Sequence, residues 1–162
     1  MTDAFYFKIK YDPEKAAGEF KVGIYGNMNP LALENLKFLC SNGANSPQPV
    51  RYPYDSYSSE YVSIVGSELH YVVKGYGIYT GSFAESDGLK RGHSKYGMTF
   101  RDEQHILKHD AKYLMSLVNY GKPHTNQSMF MFTLAESMPW LDSRQVVIGK
   151  VVDGEDILDT IE

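Results

Sequence analysis

The arrangement of apolar and polar residues predicts strands along most of the chain. Residues 5–10 alternate aromatic or apolar with polar side chains, and residues 20–24 repeat this alternation after a turn at Asp12-Pro13. A two-residue period is typical of strands with one buried face, so these segments predict a β-hairpin. Residues 69–73 are apolar and β-prone, and three later apolar runs read LMSLVN, MFMFTLA and VVIGKVV. We predict a strand for each, because Gly, Pro and Asn separate the runs.

Two segments have helical periodicity instead. In NMNPLALENLKFLC, Asn29 is a suitable N-cap and Pro30 suits the first helical position. The apolar residues that follow recur on one helical face: Ala32, Leu36, Leu39 and Cys40. Residues 154–162 predict a second helix, with three apolar side chains on one face: Ile157, Leu158 and Ile161.

The overall pattern is many short strands, two helices and regularly spaced turns. It predicts a mainly β fold and leaves an antiparallel barrel and a sandwich both open. The 162 residues are the length of one ordinary domain, and no internal repeat or second domain is visible. Residues 43–63 interrupt the pattern with three prolines and four tyrosines in a Ser-rich stretch. We predict that most of this stretch is a surface loop insertion.

Composition narrows the range of partners. The net charge of −4 predicts no broad electrostatic attraction to nucleic acid or to an anionic membrane. Cys40 is the single cysteine, so nothing demands an oxidising compartment. The N-terminal residues show no secretory signal pattern, and no apolar stretch reaches the roughly 20 residues needed to span a bilayer. These features predict a cytoplasmic protein.

Five motifs in order resemble one family. NPLALENLKFLC is similar to the pattern PxxxxNFxxLC, and IVGSELHYVVKGYGIYTGSF aligns without a gap with YKGSxFHRIIPxFxxQGGDF. LMSLVNYG resembles LSMANxG, and TNQSMFMFTLA resembles TNGSQFFITxx. WLDSRQVVIGKV keeps the Trp-Leu-Asp of the last motif. The chain is therefore identified as a member of the cyclophilins, peptidyl-prolyl isomerases that bind X-Pro segments in a groove on a β-barrel.

The resemblance implies a definite fold. Cyclophilins are closed, antiparallel, eight-stranded barrels with a helix covering each end, and we predict this architecture for residues 1–162. In the family a last strand pairs with the first, and this sequence contains no segment that matches it. Residues 43–63 carry X-Pro bonds of their own and lead toward the strand that bears Tyr71. We hypothesise that they fold beside the groove; a loose, solvated insertion is the alternative.

The same alignment implies which residues carry catalysis. Tyr71 stands where the family has its catalytic arginine, and Asn119 is a retained asparagine. Removing one preorganised transition-state donor typically costs on the order of 10²–10³ in rate. Tyrosine is neutral and lacks the forked donors of a guanidinium, so we predict weak or lost isomerase activity. Two functions stay open: a slow isomerase, or a non-catalytic scaffold module that binds proline-containing segments.

The resemblance also implies a substrate pocket. The residues at its positions are mostly apolar or aromatic: Tyr76, Tyr79, Val118, Met129, Met131, Trp140, Leu141 and Gln145. Met131 replaces a phenylalanine of the pocket floor and makes it more adaptable, while Trp140 and Leu141 are retained. The predicted partners are proline-containing peptide or protein segments. Cyclosporin, the family's usual inhibitor, is favoured by Trp140 and opposed by five substitutions: Tyr71, Gly77, Met129, Met131 and Gln145.

Metal and cofactor binding find little support in the sequence. His105 and His109 have the i, i+4 spacing of helical zinc ligands, but no carboxylate or cysteine completes a set. The Gly-rich stretch GYGIYTG is not followed by the helix and Lys-Ser/Thr of a phosphate-binding loop. We therefore predict neither a metal nor a cofactor.

Overall fold

The computed structural model describes residues 1–10, 18–41, 63–84 and 90–162. The predicted insertion at 43–63 therefore lies almost wholly outside the described residues. The elements in chain order are β1 (Asp3–Ile9), β2 (Gly18–Ile24), α1 (Pro30–Ser41), β3 (Tyr71–Val73), β4 (Gly77–Thr80), β5 (Phe83–Ala84), β6 (Lys90–Arg91), β7 (Leu114–Asn119), β8 (Asn126–Thr133), β9 (Val147–Asp153) and α2 (Glu155–Ile161). Each predicted strand and helix has a counterpart among them.

The strands form one large antiparallel sheet and one small hairpin. The large sheet has seven strands in the order β1-β2-β9-β7-β8-β4-β3, and β5 pairs with β6. The predicted hairpin is confirmed, because β1 and β2 pair directly from Asp3 opposite Ile24 to Ile9 opposite Gly18. The predicted barrel has eight strands and is closed, whereas this sheet has β1 and β3 as its two edges. Closure of a barrel requires hydrogen bonds between its two edge strands, directly or through a further strand.

The main core lies on one face of this sheet. Phe20 on β2 stacks on Phe7 at 5.5 Å and meets Phe132 of β8 nearly edge-on at 5.1 Å. Such aromatic contacts stabilise a core beyond simple burial. The two helices cover this face with apolar side chains: Ala32, Leu33 and Leu36 from α1, and Leu158 from α2. Burial raises the pKa of the predicted core residue Cys40 to about 11, so its thiol stays protonated.

The N-terminus of α1 is capped differently from the prediction. Asn29 does occupy the N-cap position, since its carbonyl accepts the Leu33 N–H at 3.0 Å. Its side-chain amide, however, turns away from the helix and donates to the carbonyl of Val147 at 3.2 Å. The carboxylate of Glu103 instead accepts the N–H groups of Leu31 and Ala32 at 2.8 and 2.9 Å. A carboxylate satisfies two otherwise unpaired donors and also favours the positive end of the helix dipole.

Glu103→Ala is expected to lower the free energy of unfolding by about 1–2 kcal/mol, because the helix loses its cap. Urea denaturation at pH 7 measures the change. Glu34→Gln is the control: Glu34 pairs with Lys95 on the surface, and such exposed pairs contribute little to stability. Equal, small losses in both variants would contradict the capping role of Glu103.

No helix in the described ranges is both long and apolar enough to cross a membrane.

Candidate functional site

A row of four directly opposed residues crosses one half of the sheet. Tyr71 on β3 pairs with Tyr79 on β4, which pairs with Met131 on β8, which pairs with Ser116 on β7. Directly opposed residues project from the same face of a sheet, while their chain neighbours project from the other. Phe132, next to Met131, accordingly belongs to the main core. The row therefore lies on the face away from that core.

A second, smaller apolar cluster forms on this face. Three buried residues make its floor: Met131, Met138 and Leu141. Four partly buried residues pack around them: Tyr76, Tyr79, Val118 and Ala135. Five of the predicted site residues are thus brought into one place, and the cluster is the candidate pocket. Met138 was missed by the sequence analysis, because the turn that carries it has no strand or helix periodicity.

Gly77 and Met131 are both smaller than the residues that the family pattern has at their positions. Gly77 stands at a family methionine, and Met131 stands at a family phenylalanine. A Cβ atom on Gly77 would lie 2.9 Å from the carbonyl oxygen of Phe132 and 3.3 Å from Cε of Met131. The Met131 side chain therefore lies close to Gly77, and it is fully buried in the pocket floor.

Trp140 forms one wall of the pocket from a short 3-10 turn, Pro139–Leu141. Its side chain is 53% exposed and stacks on Tyr76 at 6.3 Å between ring centroids. Its indole N–H donates to the Tyr76 hydroxyl at 3.4 Å. The chain of rings continues from Tyr76 to Tyr79 at 6.4 Å and from Tyr79 to Tyr71 at 6.4 Å. We call these four residues, Trp140, Tyr76, Tyr79 and Tyr71, the aromatic strip.

The aromatic strip supplies hydroxyl groups where the family has a cation. Tyr71, at the arginine position, is 66% exposed at the edge of the sheet. Burial, together with the nearby Tyr76 hydroxyl, raises the pKa of Tyr79. Tyr79 is therefore a neutral hydrogen-bond donor at physiological pH. The strip can stack on apolar groups and donate hydrogen bonds, but none of its residues carries a positive charge.

The side chain of Asn119 is hydrogen-bonded to backbone at both ends of its amide. Its amide nitrogen donates to the carbonyl of Arg144 at 2.6 Å, and its amide oxygen accepts the N–H of Gly121 at 3.0 Å. Both ends of the side chain thus hold turns beside the pocket. Gln145 is tied to the same turn through its own N–H, which donates to the Leu141 carbonyl at 3.0 Å. Met129 is half-buried on β8, two residues before Met131 and so on the pocket face.

A buried chain of hydrogen bonds connects the Trp140 turn to the pocket floor. Nδ1 of His109 lies 3.0 Å from a carboxylate oxygen of Asp142, and the His109 backbone N–H donates to that oxygen at 2.9 Å. Nε2 of His109 lies 2.9 Å from the hydroxyl of Ser116. Both His109 and Ser116 are fully buried. Asp142 directly follows the turn that carries Trp140, and Ser116 is opposed to Met131, so these three residues position both sides of the pocket.

The charged groups around His109 are the Asp142 and Asp110 carboxylates, with His105 nearby and Lys108 at 3.7 Å from Asp142. Burial lowers the pKa of His109 and outweighs the two carboxylates, so the ring is neutral at pH 7. Burial opposes ionisation of Asp142 too, but hydrogen bonds from the backbone and ring of His109 keep its pKa below the ordinary value. His109, one of the two histidines with zinc-like spacing, therefore forms hydrogen bonds with Asp142 and Ser116.

The comparison with known proteins agrees with this geometry. A family model, Cyclophilin type peptidyl-prolyl cis-trans isomerase/CLD, matches residues 6–162. Peptidyl-prolyl cis-trans isomerase B of Saccharomyces cerevisiae is 35% identical over 162 residues, which are 100% of this chain and 70% of that protein. The human NK-tumor recognition protein is 35% identical over 161 residues, 97% of this chain but only 10% of that much longer protein. A crystal structure of a cyclophilin type peptidyl-prolyl cis-trans isomerase from Cryptosporidium parvum has a TM-score of 0.69 and 29% identity, and the match covers 90% of this chain and 78% of that one. The chain belongs to the cyclophilin-type peptidyl-prolyl cis-trans isomerase family.

Proposed function

We propose that this domain binds X-Pro segments of proteins in the pocket floored by Met131 and walled by Trp140, and that it isomerises them slowly or not at all. The observation that carries the proposal is Tyr71, a neutral side chain at the family's arginine position. It lies beside a pocket whose floor and surroundings are apolar or aromatic. Binding of a proline ring needs apolar and aromatic surface, which the pocket supplies. Catalysis also needs an interaction that stabilises the twisted X-Pro bond.

The chemistry separates the two requirements. Rotation about the X-Pro bond makes and breaks no covalent bond, but it crosses a barrier of roughly 18–20 kcal/mol. At the top of the barrier the prolyl nitrogen has lost conjugation and gains a lone pair. Only interactions that are stronger at that point than in the ground state accelerate the reaction. A guanidinium can make such an interaction, whereas the Tyr71 hydroxyl is a weaker and neutral donor.

A non-catalytic binding module is the second candidate, and one observation favours it specifically. Asn119, the other polar residue assigned to catalysis, spends both ends of its amide on Arg144 and Gly121. Two of its four hydrogen-bonding positions are therefore already used by backbone, which leaves one N–H and one oxygen lone pair for a substrate backbone. Cyclosporin is a further proposed ligand of the same pocket, on the strength of Trp140.

Exchange NMR on a blocked Ala-Ala-Pro-Ala peptide tests the proposal. We expect chemical-shift changes around Trp140 and little or no acceleration of cis/trans exchange. Measurable acceleration that disappears in Tyr71→Phe would identify the hydroxyl as a catalytic donor and favour the slow enzyme. Tyr6→Phe is the matched control, since Tyr6 is a similarly exposed tyrosine on β1. Absence of any shift would overturn the proposal, because the pocket would then not bind proline.

A further inference from the structure

The two ends of the candidate pocket differ in exposed charge. We propose that the pocket prefers X-Pro segments with acidic residues, aspartate or glutamate, within two positions of the proline, because three exposed cations lie at the Asn119 end. These cations, which we call the basic rim, are Arg101, Lys122 and Arg144. The inference rests on the proposed function, since the proline still occupies the floor that contains Met131. It adds the charge of the segment that binds.

Arg144 is the member of the basic rim that is attached most directly to the pocket. Its backbone N–H donates to the carbonyl of Leu141, a floor residue, at 3.0 Å. Its own carbonyl accepts the side-chain amide of Asn119 at 2.6 Å, and Asn119 directly follows the pocket residue Val118. The backbone of Arg144 is therefore fixed between two segments of the pocket, and its exposed side chain begins at the edge of that pocket.

Arg101 approaches the same end from a neighbouring segment. Phe100 forms an antiparallel bridge with Asn126, and Asn126 is opposed to Asn119 on β7. Neighbouring strands lie about 4.8 Å apart, so Arg101 lies roughly 10 Å from Asn119 across the sheet. Phe100 belongs to the main core, and chain neighbours in an extended segment project from opposite faces. Arg101 therefore projects from the face that carries the pocket.

Lys122 lies in the turn that joins β7 to β8, and the side chain of Asn119 holds this turn. The Asn119 amide oxygen accepts the N–H of Gly121 at 3.0 Å, and the hydroxyl of Thr125 donates to the Lys122 carbonyl at 2.7 Å. These two hydrogen bonds fix the backbone on both sides of Lys122. Its exposed side chain is therefore carried by a turn that begins at the end of the pocket.

The carboxylates near the basic rim are engaged inside the protein. The Asp102 side chain is only 8% exposed and accepts the amide of Asn126 at 2.7 Å. Glu103 accepts two backbone N–H groups of α1, and Asp142 is hydrogen-bonded to His109. A carboxylate on a bound segment would therefore meet exposed cations at this end, while the protein's own carboxylates are turned toward their internal partners.

The opposite end of β7 and β8 has mainly the reverse charge. Tyr113 precedes β7 there, and Glu136 follows the pocket residue Ala135. Three carboxylates and one cation lie around Tyr113: Asp159, Glu136, Glu155 and Lys112. The hydrogen bond to Asp159, followed by burial and the other carboxylates, raises the pKa of Tyr113 to about 12. An acidic segment is therefore expected to bind in the one direction that places its carboxylates beside the basic rim.

The expected preference is modest and depends on salt. An exposed ion pair contributes on the order of 0.2–1 kcal/mol, which corresponds to roughly a one- to fivefold change in affinity. Two acidic residues facing the basic rim are therefore expected to strengthen binding roughly two- to fivefold. The screening length is about 10 Å at 0.1 M salt and about 3 Å at 1 M, so the preference should disappear at high salt.

The test compares blocked peptides that differ only in charge. Ala-Glu-Glu-Pro-Ala and Ala-Ala-Pro-Glu-Glu place two carboxylates before or after the proline, and each has a counterpart with glutamine in place of glutamate. The readout is the ratio of the dissociation constants of each glutamine and glutamate pair. We expect one of the two glutamate peptides to bind roughly two- to fivefold more tightly than its counterpart at low salt, and equally at about 1 M salt.

Charge reversal connects this preference to the basic rim. Arg101→Glu, Lys122→Glu and Arg144→Glu are each expected to reduce the ratio toward one or below it. Lys8→Glu changes the net charge by the same amount on β1, an exposed position on an edge strand, and is expected to leave the ratio as in the wild type. Using a ratio removes any general effect of a variant on the pocket, because both peptides of a pair are affected alike.

The possible outcomes separate this inference from the proposed function. If Ala-Ala-Pro-Ala binds but neither glutamate peptide is preferred, or both are preferred equally, the inference is wrong and the proposed function stands. The same holds if a preference exists but none of the three rim variants changes it. If no peptide binds, the inference and the proposed function are both overturned.

Discussion

Replacement of Tyr71 by arginine is expected to raise kcat/KM for X-Pro isomerisation by about 10²-fold, the scale on which one preorganised transition-state donor acts. Tyr71 is exposed on an edge strand, so the longer side chain needs no space inside the core. It projects from the same face as Tyr79 and Met131, toward the side on which the pocket lies. Arginine adds a permanent charge and forked donors that can reach the prolyl nitrogen as it loses conjugation. Exchange NMR on Ala-Ala-Pro-Ala measures the rate.

Two further variants separate chemistry from net charge. Tyr6→Arg adds the same charge at the opposite edge of the sheet, on a side chain of matched exposure, and is expected to change nothing. Tyr71→Lys supplies charge without the fork and is expected to give a smaller gain. If Tyr71→Arg binds the peptide but does not accelerate exchange, the residue at the arginine position does not limit catalysis. The substitutions at Tyr79 and Met131 would then be responsible.

Most of the fold could be predicted from the local sequence, because apolar and polar residues alternate within strands that have one buried face. Residues 5–10 and 20–24 alternate, and the pair is the hairpin of β1 and β2. The choice of the cyclophilin fold over a sandwich came from the motifs, and the family match over residues 6–162 confirms it. The capping of α1 could not be predicted in this way. Glu103 lies 72 residues from Leu31 along the chain, and nothing local in the sequence marks it as a cap.

Several residues of the pocket were predicted from the sequence, but the hydrogen bonds that position them were not. Resemblance placed Tyr76, Met131 and Leu141 together, and one cluster contains them. His109 was considered only as half of a zinc pair with His105, because helical spacing is visible in a sequence. Its actual partner is Asp142, 33 residues later, and only the fold brings the two together. Hydrogen bonds between distant segments leave no periodic signal.

His109→Gln is expected to lower the free energy of unfolding at pH 7 by about 1–3 kcal/mol, the cost of leaving a buried polar group unpaired. The imidazole bridges Asp142 and Ser116 at 3.0 and 2.9 Å, and glutamine cannot span both with the same geometry. Because these residues position the two sides of the pocket, binding of Ala-Ala-Pro-Ala is expected to weaken as well. Urea denaturation and peptide titration measure the two effects.

The same substitution is expected to change how stability depends on pH. Burial lowers the pKa of His109, so the unfolded chain takes up this proton first, near the ordinary value of about 6.5. The contribution of His109 is therefore fully present above about pH 6.5 and is lost progressively as the pH falls below it. Asp142 acts in a separate, more acidic window: its lowered pKa contributes stability above its unfolded value of 3.8, which is lost as the pH falls through the folded value. Of these two residues, His109 is therefore the one that makes stability depend on pH between pH 7 and pH 5.

Comparison of variants isolates that contribution from the pH dependence of the rest of the protein. The wild type is expected to lose more stability between pH 7 and pH 5 than His109→Gln, because the variant has no buried imidazole to protonate. His124→Gln is the control for an exposed histidine, since the His124 side chain is 67% exposed, whereas that of its partner Asp102 is 8% exposed. It is expected to follow the wild-type pH profile. If His109→Gln also follows that profile, the imidazole is not held neutral by burial, and the hydrogen-bond chain does not respond to pH.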